Sequence, residues 1–73
     1  MALKLNDTLI RVTACTVRRS ATTIAYVGWF NEQDSCTREK LYEFEYDQNG
    51  SNPIEQAYNY LKTLPEFEGA TNL

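Results

Sequence analysis

A single amphipathic helix, placed after a run of strand-like segments, limits what this chain can fold into. In "SNPIEQAYNYLKTLPEF", Asn52 is a good N-cap, and Pro53 at the first helical position gives up no hydrogen bond. Glu55 stands three residues beyond the cap, as in a capping box. Ile54, Ala57, Tyr58, Leu61 and Leu64 share one helical face, while Gln56, Asn59, Lys62 and Thr63 take the other, and Pro65 is expected to end the helix. An apolar stripe of that width needs a surface to lie on. The helix is therefore expected to be the lid of a small sheet.

The sheet is legible in three segments. "TLIRVTACTVRR", Thr8 to Arg19, is rich in β-branched residues and has neither Gly nor Pro. Its alternation is imperfect: Ile10, Val12 and Ala14 share one face, and Leu9, Cys15 and Val17 the other. Either both faces are partly buried or a bulge near Thr13 shifts the phase. After a turn at residues 19–22, "TTIAYVGWFNE" places Ile24, Tyr26 and Phe30 on one face and Ala25, Val27 and Trp29 on the other. Gly28 opens space opposite a large side chain or marks a bulge. Residues 31–39 carry no periodic signal and read as a loop. In "KLYEFEYD", Tyr42, Phe44 and Tyr46 alternate with Glu43, Glu45 and Asp47, the pattern of a half-buried strand. Asn49-Gly50 supplies the turn before the helix.

The order β-β-β-α predicts an α+β fold: one domain, residues 1–73, with a three-stranded antiparallel meander and a C-terminal helix packed on one face. Nothing in the chain is left to cover the second face. Leu9, Val17, Val27 and Trp29 are the residues expected there, with Arg11, Arg18 and Arg19 beside them, and these seven form the expected protein interface. Trp29 is an anchor for a subunit contact if it points to the bare side and plain core if it points to the helix. The sequence leaves both open.

Size favours a partner. At 73 residues a chain buries only about 60% of the surface its unfolded form exposes. Small domains usually draw on disulfides, a metal or a neighbouring subunit. Cys15 and Cys36 lack metal-site or disulfide-framework spacing and read as thiols of a reducing compartment. With no histidine, the commonest general base is missing and no Ser-His-Asp or Cys-His arrangement is possible. Glycines stand only at 28, 50 and 69, so no phosphate-cradling loop exists. Glu43, Glu45 and Asp47 recur at ~7 Å along a strand, too spread to share one ion. An enzyme is not expected, nor a cofactor, a metal or a small-molecule substrate.

The net charge of −3 disfavours nucleic acid, although Arg11, Arg18 and Arg19 with Tyr26 and Trp29 are of the types that form a single-strand patch. The charge is uneven: residues 1–40 carry six basic and four acidic side chains, residues 41–73 one and six. That distribution suits contacts between copies. No apolar run approaches the ~18 residues of a membrane span, and "MALKLNDTLI" is not a signal peptide, so a soluble protein made inside the cell is expected.

Two stretches carry a resemblance. "MALKLNDT" at the start and "YDQNGSNPIEQAYNYLKTLPEFEGATNL" at the end resemble small proteins encoded among the structural genes of tailed bacteriophages. The Asn52-Pro53 cap, the Tyr58/Leu61 face and "LPEFEGA" at 64–70 form the most specific part of the match. The resemblance implies a virion-associated structural protein of tail, baseplate or capsid surface, made in the host bacterial cytoplasm. Its partners would be itself or other phage structural proteins. A second reading is a small acidic phage-encoded inhibitor of a host protein, with Glu43, Glu45 and Asp47 imitating a nucleic-acid backbone.

Overall fold

The structure, a computed structural model, describes residues 1–73. The chain runs β1 (Leu3–Leu5), β2 (Thr8–Val17), β3 (Thr22–Phe30), β4 (Cys36–Glu45), α1 (Pro53–Leu61), a 3-10 turn (Pro65–Phe67) and β5 (Thr71–Asn72). All strands join one antiparallel sheet in the order β4-β3-β2-β1-β5. The expected three-stranded meander is thus corrected to a five-stranded sheet, and the protein is predominantly β with one helix. Two short strands account for the difference. β1 folds back on β2 through Asn6, whose φ of 56° is a left-handed conformation that Asn tolerates better than most residues. β5 then closes the sheet on β1, with Leu73 N–H donating to the Ala2 carbonyl at 3.0 Å. Segments of three and two residues carry too little periodicity to announce themselves; their pairing is a long-range event.

Boundaries shift elsewhere for physical reasons. The first expected strand stops at Val17, because Arg18 and Ala21 form the turn. β4 begins at Cys36, so the polar loop is only residues 31–35 and "CTREK" is strand. Arg38 and Lys40 lie on that strand over the rings of Trp29 and Tyr42, at 4.6 and 5.0 Å. Polar residues there follow from position, since β4 is an edge and its residues 36–41 are all exposed. The helix ends at Leu61, three residues before the expected stop. Thr63 N–H and Leu64 N–H bond back to Tyr60 and Leu61, tightening the last turn, and Pro65 opens the 3-10 turn.

Of the two readings of the broken alternation, the bulge near Thr13 is present: the β2–β3 register shifts between Val12 and Ala14. Two residues, Thr13 and Ala14, take the space opposite Tyr26. At this interruption Val12 N–H donates to the Tyr58 hydroxyl at 2.8 Å, and that hydroxyl donates to the Met1 carbonyl at 2.9 Å. One helical side chain therefore ties α1 to β2 and to the N-terminus. The bulge also changes the inward set from Ile10 and Val12 to Cys15, whose Sγ lies 3.8 Å from the Pro53 carbonyl at the start of α1.

The core lies between α1, the 3-10 turn and one sheet face. Leu3, Ile10, Val12, Ala25, Val27 and Tyr42 meet Ala57, Tyr58, Leu61 and Phe67 there. Asn52 caps α1 as expected, its Oδ1 accepting from Glu55 N–H at 2.9 Å. Phe67 is the largest fully buried side chain, 2% exposed, stacked on Trp29 and tilted against Tyr42 with ring centroids 5.8 Å apart in both pairs. The "LPEFEGA" string thus places a ring in the core and leads the chain into β5. No helix is long and apolar enough to cross a membrane.

Candidate interaction surface

The opposite side of the sheet has no helix over it. Ladder pairing and the two-residue alternation assign it to Leu9, Arg11, Ala14 and Thr16 of β2, Ile24, Tyr26, Gly28 and Phe30 of β3, and Glu39, Leu41, Glu43 and Glu45 of β4. Leu41 is 58% exposed and Tyr26 37%, whereas Leu9, Ile24 and Phe30 are half-buried by their neighbours. Gly28 explains how the Phe30 ring lies flat: a Cβ at 28 would stand 2.8 Å from the ring edge. The Arg11 guanidinium lies over the same ring at 4.9 Å and bonds Asp34 at 2.7 Å. Asp34 reaches that position from a left-handed turn residue, φ 60°, in the β3–β4 loop.

The seven residues expected at an interface do not share this face. Leu9 and Arg11 do. Val17 sits on the helix side at the rim, 42% exposed and paired with Thr23. Val27 is core, 1% exposed, and Trp29 stacks on Phe67 with Arg38 over it. Of the two possibilities for Trp29, the structure selects packing on the helix side. Arg18 and Arg19 are exposed at the β2–β3 turn, at the far end of the sheet from Arg11. The bulge at Thr13 divides Leu9 from Val17, because it shifts the phase between them.

Ile24, Tyr26, Phe30 and Leu41 were not among the expected contacts. The strand alternation had already grouped Ile24, Tyr26 and Phe30. Deciding which group meets the helix required the β3–β4 register, in which Ala25 opposes Tyr42 and Tyr26 opposes Leu41. A loop misread as residues 31–39 conceals that register, and a one-residue slip exchanges the faces.

Charge on β4 is divided between its sides. Toward the helix, Glu66 accepts from the Tyr42 hydroxyl at 2.6 Å and meets Lys40 at 3.5 Å. The Tyr42 hydrogen bond holds the Glu66 carboxyl below its usual range, with Lys40 adding to the effect. Burial, and then Glu66, push the Tyr42 hydroxyl up. Toward the bare side, Glu39, Glu43 and Glu45 are exposed. Asp47 has left the strand: its carboxylate accepts from Asn49 N–H at 2.9 Å in the turn, so the expected row of three ends at Glu45.

No three His, Cys, Asp or Glu side chains are gathered as a metal site would require. Burial raises the pKa of the Cys15 thiol, and Cys36 is exposed on the edge strand with its Sγ 3.3 Å from the Arg38 carbonyl. The largest depression, about 510 Å³, is open and polar and lies between the turns at Ala21 and Asp47–Asn49. No protein-family model, curated protein or solved structure matches this chain.

Proposed function

We propose that this chain is a non-enzymatic structural component of a tailed-phage virion, in the tail, the baseplate or on the capsid surface. It acts by docking its helix-free sheet face on copies of itself or on other virion proteins. The observation that carries the reading is that face: a strip of Leu9, Ile24, Tyr26, Phe30 and Leu41 on a rigid sheet, with Leu41 well exposed and Tyr26 about one-third exposed. Aromatic and aliphatic side chains fixed on a sheet lose little freedom on contact and suit a permanent interface. The resemblance of residues 1–8 and 46–73 to phage structural proteins supplies the setting.

The test is quantitative mass spectrometry of purified particles from a phage that encodes the chain, counted against the major capsid protein. A fixed stoichiometric ratio is expected. Abundance in infected cells with absence from particles contradicts the reading. That outcome would favour the inhibitor of a host protein, for which Glu39, Glu43 and Glu45, aligned and exposed on one side of the edge strand, offer an acidic surface. Neutralising Glu43 and Glu45 would then weaken the host complex, and unchanged affinity would remove the mimicry idea.

A further inference from the structure

Read across the strands, the bare face has a repeating order. One ladder row is Arg11–Gly28–Glu39 and another is Ala14–Tyr26–Leu41, running from β2 through β3 to β4. The last row continues the pattern, because Arg18 N–H bonds the Thr22 carbonyl at 2.9 Å and Thr22 opposes Glu45. In the Arg11 and Arg18 rows a cation on the β2 side thus stands level with a carboxylate on the β4 side, flanking the apolar Tyr26 row and the Thr16–Ile24–Glu43 row, which carries no cation. We infer that two copies pack these faces together about a two-fold axis running along β3, parallel to the strands, giving a two-layer sandwich with the helices outside. This inference rests on the reading of the helix-free face as the docking surface, and it names the first occupant as a second copy of the chain.

The charge order selects this symmetry. Rotation about β3 exchanges the β2 and β4 sides and preserves each row. Arg11 then meets Glu39 of the second copy, Arg18 meets Glu45, and Leu41 meets Ala14, while Tyr26 lies at the axis. A two-fold across the strands would lay β4 over β4 and oppose carboxylates. Edge pairing of β4 with itself is also disfavoured. Registers centred on Arg38, Glu39, Lys40 or Glu43 set that residue against its own copy. Centring on Leu41, Tyr42 or Phe44 opposes Glu39 to Glu43, Glu39 to Glu45, or Glu43 to Glu45. Size fits as well: the molecule measures 36 × 21 × 19 Å, and a face bounded by the two longer extents matches the ~800 Å² that each partner of a standard interface buries. Aligned packing of two twisted sheets is a standard solution for such faces.

Sedimentation equilibrium of the full chain, with circular dichroism as the check on folding, tests the arrangement. The unaltered protein is expected to sediment as a dimer. Leu41→Glu, an exposed edge position, is expected to sediment as a folded monomer. Arg18→Glu and Glu45→Arg, neither of which has an ion-pair partner within the chain, are each expected to weaken the dimer on the order of tenfold, and the two together to restore it, because the two-fold pairs these positions twice. A monomer at all concentrations, a dimer indifferent to Leu41→Glu, or charge reversals that do not rescue each other would overturn the proposal. A monomeric protein found at fixed ratio in particles would sink the two-fold pairing and leave the virion role standing. A dimer absent from particles would do the reverse.

Discussion

The two faces of this sheet are made from the same strands and differ in everything that follows. On one, Val27 and Ala25 of β3 vanish under α1 and the 3-10 turn; on the other, their neighbours Tyr26 and Ile24 have no element above them. The covered face is closed by shape, through Phe67 between Trp29 and Tyr42, and by the Tyr58 hydroxyl in the gap the bulge leaves. The bare face is ordered by charge, with an apolar strip between arginines and glutamates. On the proposed function, a single strand supplies the stability of the fold on one side and its recognition on the other, and substitutions should divide accordingly.

The largest effect belongs to Phe67→Ala on the covered face. It removes the largest fully buried side chain and should cost about 3–5 kcal/mol, a large part of a small domain's stability, in urea unfolding. Next is Tyr58→Phe, which keeps the ring and deletes both hydroxyl bonds, leaving Val12 N–H buried without its acceptor. A loss of about 1–3 kcal/mol is expected from the same measurement. Asn52→Ala removes the cap from Glu55 N–H and should cost about 1 kcal/mol, read as a shift in thermal midpoint. On the bare face, Leu41→Glu should change stability by no more than about 0.5 kcal/mol while abolishing association. If it unfolds the chain instead, the division between the faces is wrong.

The smallest expected effect concerns Glu66. Its carboxyl titrates lower in the folded protein than in the unfolded chain, so its contribution is present above the ordinary value of 4.5 and fades as pH falls through the folded value. The native chain should therefore lose slightly more stability than Glu66→Gln when acidified below that value. Equal acid sensitivity would show that the link between the 3-10 turn and β4 contributes nothing measurable.

Local chemistry was legible and long-range register was not. Asn52-Pro53 announced the helix start, the phase break in "IRVTACTV" offered a bulge as one of two readings, and Gly28 offered space for a large side chain, which is Phe30 of its own strand rather than a residue opposite. Each is decided within a few residues. β1 and β5 exist only because residues at opposite ends of the chain pair, as Leu3 does with Asn72. The residues expected at an interface were split between the two faces for a related reason. Grouping Ala25, Val27 and Trp29 together was sound, but placing that group on the helix side needed the position of Cys36 in β4, which the polar composition of residues 36–40 concealed. Leu9 and Arg11 were placed on the right face because they precede the bulge, and Val17 was lost because it follows it.

The most direct test of the central claim, that the helix-free face is where this protein meets its partners, is hydroxyl-radical footprinting of the dilute chain and of the chain within purified particles. Tyr26 and Leu41 should be oxidised readily in the dilute chain and protected in the particle, with Ile10 and Val27 unreactive in both. Equal labelling of Tyr26 and Leu41 in the two samples would contradict the account.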